Sequence, residues 1–133
     1  MSISTIRKKI RQYSKQINSP KRLITVRSTP TQFGDPHIEI DERGYHYVNW
    51  ERGIEHERRT TEELDELLYW LMADITHNMA SDYELNHRVP KQDFRRLLFE
   101  TQLNLLKKIN ADFHNRMEEE INEILINNPY QDI

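Results

Sequence analysis

The sequence predicts an α+β domain in which an antiparallel β-meander of about four strands packs against a helical layer. Three observations predict it. Side chains between His37 and Arg58 alternate with a period of two. From Thr60 onward the apolar residues recur at helical spacing instead. Strands and helices also stay segregated along the chain, which favours a helical layer on an antiparallel sheet over a parallel α/β arrangement. The expected organisation is a single domain over residues 1–133. It comprises an amphipathic basic helix at 1–18, the meander at 23–59 and the helical part at 60–128.

Each element has a local reason. Ile3, Ile6, Ile10, Tyr13 and Ile17 recur at steps of three and four, with basic residues on the other faces. Pro20 stops this helix, because proline disfavours helical backbone in the residue before it. Leu23 to Val26 is a β-branched run of strand length, and Thr29 to Pro36 is rich in breakers and reads as a loop. His37 to Asp41, Tyr45 to Trp50 and Ile54 to Arg58 read as hairpin-linked strands, with turns at Glu42 to Gly44 and at Arg52-Gly53. Tyr45, Tyr47 and Asn49 face one side of the middle strand and His46, Val48 and Trp50 the other, which leaves one aromatic face partly uncovered. Thr60 with Glu63 fits a capping box for a long helix striped by Leu64, Leu67, Leu68, Leu71, Met72, Ile75 and Met79. Ser81 with Glu84 offers a second cap, so a break near Ala80 is expected. Pro90 suits the first turn of the next helix, which carries two apolar stripes. The last helix carries Phe113, Met117, Ile121, Ile124 and Leu125 and ends at Asn128-Pro129.

Composition narrows the chemistry. The 133 residues are 36% hydrophobic and 31% charged, with no cysteine. That excludes a disulfide framework, a thiolate zinc site and a cysteine nucleophile. No apolar run approaches the roughly 18 residues of a membrane span, and no secretory h-region opens the sequence, so a soluble cytoplasmic protein is expected. The net charge of −3 is unevenly spread: residues 1–31 hold eight of the 19 basic residues and no acid, leaving −11 on residues 32–133. Arg7, Lys8, Lys9 and Arg11 could neutralise phosphates, with Tyr13 to stack, but no nucleic-acid motif accompanies them, and nucleic acid is not the expected partner.

Asp74-Ile-Thr-His77 and Glu84-Leu-Asn-His87 have the acid-x-x-His spacing of carboxylate-bridged metal centres. Both copies lie in one segment and cannot converge without a sharp break, so no metal is expected; Glu84 pairs more simply with Arg88 one turn on. The three glycines are isolated and cradle no phosphate, and no serine stands at a recognisable distance from a base. Neither a cofactor nor a catalytic group is expected. Glu55, His56 and Glu57 read as the solvent side of a strand.

A combination of short motifs is more distinctive than any periodicity. Gly44-Tyr-His-Tyr-Val48 is followed by Glu51-Arg-Gly53, Thr60-Thr61 and Asp65-Glu-Leu-Leu-Tyr-Trp70. Then come Met79-Ala80, Tyr83-Glu84, Arg88, Gln92-Asp-Phe-Arg-Arg96, Phe99, Gln102 and Leu105-Leu106. The series resembles the immunity protein 63 family of bacterial polymorphic toxin systems. The resemblance implies a non-catalytic cytoplasmic protein that binds a cognate toxin domain and neutralises it, and it assigns no contact role to any residue. Physical candidates for partner binding are the aromatic residues Tyr45, Tyr47 and Trp50 and the acids Glu62, Glu63, Glu66, Asp82 and Glu84, with Glu118 to Glu120 further along. A nucleic-acid-associated regulator using the basic first helix, and an enzyme of unassigned chemistry, are the alternatives.

Overall fold

The computed structural model of the chain describes residues 2–133. Helix α1 (Ile3–Gln16) and a short 3-10 turn (Lys21–Leu23) precede strands β1 (Phe33–Asp41), β2 (Gly44–Glu51) and β3 (Ile54–Thr61). Helices α2 (Leu64–Asn86), α3 (Phe94–Ile109) and α4 (Ala111–Asn127) follow. The class is α+β, and the sheet is antiparallel in the order β1-β2-β3. Three strands replace the expected four. The apolar run at 23–26 forms no strand because the chain coils into the 3-10 turn through Leu23, and Ile24 keeps a non-extended ψ of 18°. Only Arg27 reaches the sheet, by an isolated parallel bridge to His37 in which Ile38 N–H donates to its carbonyl at 2.8 Å. β1 begins at Phe33, inside the expected loop, and a register shift between Phe33 and Pro36 accommodates the proline.

The chain divides into two compact units. The first holds the described residues up to Ser14 together with Pro20–Leu71. Its sheet is closed by two tight turns. Arg52 (φ 52°) and Gly53 (φ 79°) form the two-residue β2–β3 loop, both with the positive φ that matches strand twist. Gly44 (φ 118°) is required for a second reason: a Cβ there would stand 2.4 Å from the Thr61 carbonyl oxygen. Register sets Ile38, Tyr47 and Arg59 on one face and Glu39, His46 and Thr60 on the other. Tyr45, His46, Tyr47 and Val48 are all buried, so both faces of β2 are covered along these four residues. Ile6 and Ile10 of α1 are fully buried, and the Arg7 guanidinium ties the helix to the Val26 carbonyl at 2.8 and 3.1 Å. Leu67, Leu68, Tyr69, Trp70 and Leu71 at the start of α2 complete the core of this unit.

The second unit holds Lys15–Ser19 and Met72–Ile133. α2 continues through Ala80 without the expected break, because Ala80 is itself fully buried and Ser81 stays inside the helix. Met72, Ile75, Leu98, Leu106, Phe113 and Ile121 form the core. Gln102 lies buried among them and donates to the Ala73 carbonyl at 3.0 Å and to Thr76 Oγ1 at 3.2 Å. Thr76 in turn back-bonds to the Met72 carbonyl, so the polar groups inside are satisfied. α3 starts at Phe94 and not at Pro90, because the Asp93 carboxylate caps it by accepting from Arg95 N–H at 3.0 Å. Asn110 ends α3 and caps α4, accepting from Phe113 N–H at 3.1 Å.

Candidate interaction surface

The aromatic candidates are mostly spent inside the first unit. Tyr45 and Tyr47 are buried and Trp50 is half-buried. Tyr47 and Trp70 lie nearly parallel with centroids 6.5 Å apart, and the Arg59 guanidinium sits about 5 Å above both rings (5.0 and 4.9 Å). Trp70 thus joins helix to sheet by packing. Phe33 and Ile54 stand exposed at the far end of this sheet, each in register with Glu51, and β1 was too breaker-rich there for the sequence to show it.

The acidic candidates separate into two groups. Glu62 and Glu63 are exposed and Glu66 half-buried at the start of α2, where they suit the positive end of the helix. The helix is entered through Thr61 and not through the expected Thr60–Glu63 box: Thr61 Oγ1 accepts from Glu63 N–H at 3.0 Å, while Thr60 turns to His46. Asp82, half-buried, and Glu84, buried, belong to the second unit. Glu84 makes a bidentate pair with Arg88 at 2.8 and 3.0 Å, which holds its carboxyl below the usual range. His87 stacks on Tyr83 at 4.0 Å and bonds its carbonyl.

One face of the sheet carries two histidine–carboxylate pairs that spacing did not reveal. His37 Nε2 lies 2.8 Å from Glu39, whose other oxygen meets Arg58, and Arg58 also binds Glu55. These bonds depress the carboxyls of Glu39 and Glu55 and raise the guanidinium of Arg58. His46 bonds Asp41 through Nε2 and Thr60 Oγ1 through Nδ1, both at 2.8 Å, and depresses the Asp41 carboxyl. The Thr60–His46–Asp41 chain has the connectivity of a nucleophile, a base and an orienting acid. His46 is only 3% exposed and both its nitrogens are engaged, so the arrangement fastens three strands together.

In the second unit, large apolar residues stand exposed along the stretch from the end of α2 to the start of α3. Leu85 is 64%, Val89 44% and Phe94 52% exposed. A groove of about 440 Å³ opens beside it, walled by Arg88, Gln92, Phe94 and Arg95 on one side and by Gln131 and Ile133 on the other. Asp93 holds the two walls together. Its carboxylate accepts from Gln131 N–H at 2.9 Å and from Arg95, and its own N–H donates to Asp132 Oδ1 at 2.7 Å. Ile133 N–H donates to the Lys91 carbonyl at 2.8 Å. Arg95 adds bonds to the Asn128 and Pro129 carbonyls, and Arg96 pairs with Asp132 and lies 4.2 Å over the Tyr130 ring. These guanidinium contacts push the Asp93 carboxyl far below its ordinary value and lower that of Asp132. The motif Gln92 to Arg96 contains the hub, but the residues it clasps lie more than thirty positions away, beyond any spacing argument.

Among the described residues no group of three or more acids and histidines is placed to hold a metal ion, and no helix is long and apolar enough to cross a membrane. The model of the immunity protein 63 family matches residues 41–123, from the end of β1 to the third turn of α4 and beyond. No curated protein and no solved structure matches the chain.

Proposed function

The chain belongs to the immunity protein 63 family, and on that premise we propose that it binds a cognate toxin domain of a polymorphic toxin system and neutralises it by occupation, without catalysis. The observation that carries this reading is the family match across 41–123. The chemistry of the chain is consistent with a binding protein: the rings of His37 and His46 are buried against carboxylates, and several large apolar side chains stand exposed. The action takes place in the cytoplasm of the producing cell. The −11 carried by residues 32–133 speeds encounter with a basic toxin face. Trp50, Glu62, Glu63, Glu66 and Asp82 are the contacts first to be tested. Tyr45, Tyr47 and Glu84 act by shaping the surface from beneath. Co-expression with the toxin domain encoded beside it decides the matter. Cells should survive only when this protein is present; equal killing with and without it would overturn the reading.

A further inference from the structure

We propose that the outer edge of β3 is an open strand-pairing site, and that an extended segment of the toxin domain adds to it as a further antiparallel or parallel strand. This rests on the toxin-binding reading and adds to it a location and a mode of contact. β3 is one of the two edge strands of the sheet. The two-residue turn at Arg52-Gly53 makes Glu51 and Ile54 a hydrogen-bonded pair. Alternation along β2 then makes Asn49–Glu57, Tyr47–Arg59 and Tyr45–Thr61 the next bonded pairs. The N–H and C=O groups of Arg58 and Thr60 therefore point away from the sheet. Among the described residues no turn, loop or side-chain hydrogen bond reaches them.

The opposite edge is already closed. On β1, Ile38 N–H donates to the Arg27 carbonyl, and Pro36 has no N–H to offer. β3 has neither device: residues 54–58 and Thr60 are exposed, and no proline interrupts them. Charged side chains can guard an edge, but here they are drawn away from it. Arg58 reaches across the sheet to Glu39 on β1 and back to Glu55, and Arg59 lies over the Tyr47 and Trp70 rings. His56, the unpaired residue at the register shift, bends the strand and limits the regular open stretch to residues 57–61.

The occupant follows from backbone and charge. A row of free N–H and C=O groups selects another extended backbone. A second copy of this chain fits poorly, because two-fold pairing centred on Glu57, Arg58 or Arg59 sets each directly opposite its own like charge. Centring on Thr60 leaves only residues 59–61 of β3 in register, since the strand ends at Thr61. The sheet face beside the edge sets Glu39, Asp41 and Glu55 against Arg58, so the added strand is favoured when it carries a basic side chain on that side. β3 also lies wholly within the family-matched segment.

Amide hydrogen exchange on the free protein, and on its complex with the inactivated toxin domain encoded beside it, tests the assignment. The N–H groups of Arg58 and Thr60 should exchange fast in the free protein and at least tenfold more slowly in the complex. Those of Glu57 and Arg59 should be protected in both, because they face β2. Thr60→Pro, which removes one outward N–H, should weaken binding at least tenfold in titration calorimetry. Thr60→Val loses the same hydroxyl bond to His46 but keeps the N–H, and should stay within threefold. An equal loss in both variants counts against the proposal. If wild type binds while Arg58 and Thr60 exchange as in the free protein, the edge assignment falls and the toxin-binding reading survives. If wild type does not bind, that reading falls and takes the edge with it. Protection at both sites that grows with protein concentration in the absence of toxin would overturn the proposal in favour of self-pairing.

Discussion

Helix α1 and the α2–α3 connection are both rich in charge, and they treat it in opposite ways. On α1, Lys8, Lys9, Arg11 and Lys15 are exposed and make no ion pair among the described residues, and only Arg7 is tied down, to a backbone carbonyl. Around the connection, Arg88 before α3 and Arg95 and Arg96 in its first turn each hold a carboxylate at 2.8 to 3.0 Å. Free cations keep their water and give a long-range field that salt screens within about 8 Å. Paired cations give no field, but they build rigid walls. A count of charges therefore points to α1 as a source of field, whereas the disposition of charges points to the connection as a source of rigidity.

Neither charged region is expected to carry the fold. Leu68, buried in the first unit, provides the reference: Leu68→Ala should cost roughly 2–5 kcal/mol in denaturant unfolding. A loss under about 0.5 kcal/mol would mean the core has been misplaced.

The next effect in size is that of the clasp. Asp93→Asn removes the charge that Arg95 pairs with and weakens the acceptor for Gln131 N–H, so amide exchange at Gln131 and Ile133 should accelerate and the melting temperature should fall. Acid should reproduce this. Asp93 and Asp132 have folded values below their ordinary 3.8, so their contribution is complete above that pH and fades as pH drops toward the depressed values. Protection at Gln131 should thus be flat from neutrality to about pH 4 and lost below it. Loss already at pH 6 would show that some other group closes the groove.

The smallest effect belongs to α1. Lys8→Ala and Arg11→Ala should each change stability by no more than about 0.5 kcal/mol. A gel shift at physiological salt should show no duplex binding. Submicromolar binding that weakens at least tenfold between about 50 and 200 mM salt would instead give the free cations a nucleic-acid role.

The parts of the fold legible in the sequence were those where burial has a period. Alternation located β2 and β3, and the stripe from Leu64 to Ile75 located α2. Errors arose where a local signal competed with tertiary contacts. The run at 23–26 has strand composition, yet the coil after Pro20 and the single bridge at Arg27 leave it no partner strand. Ser81 and Glu84 resemble a cap, but a buried Ala80 and the Glu84–Arg88 pair carry the helix through. Pro90 is acceptable in a first turn, but Asp93 supplies the actual cap because its carboxylate also answers Gln131. The groove was the least legible feature of all, since its two walls come from sequence-distant segments joined by side-chain to backbone bonds.

The Arg59–Tyr47–Trp70 stack has a spectroscopic consequence. The chain has two tryptophans, one locked under a guanidinium and nearly parallel to a tyrosine ring, the other half-buried near the β2–β3 turn. Trp70 should dominate the near-ultraviolet dichroism, because an indole held in a fixed asymmetric field is optically active and a mobile one is not. Trp50 should respond to quenchers dissolved in the buffer. A single sample thus carries two chromophores, one sensing the packing of helix on sheet and the other the outer surface of that sheet, and Trp50→Phe separates their signals without dyes or labels.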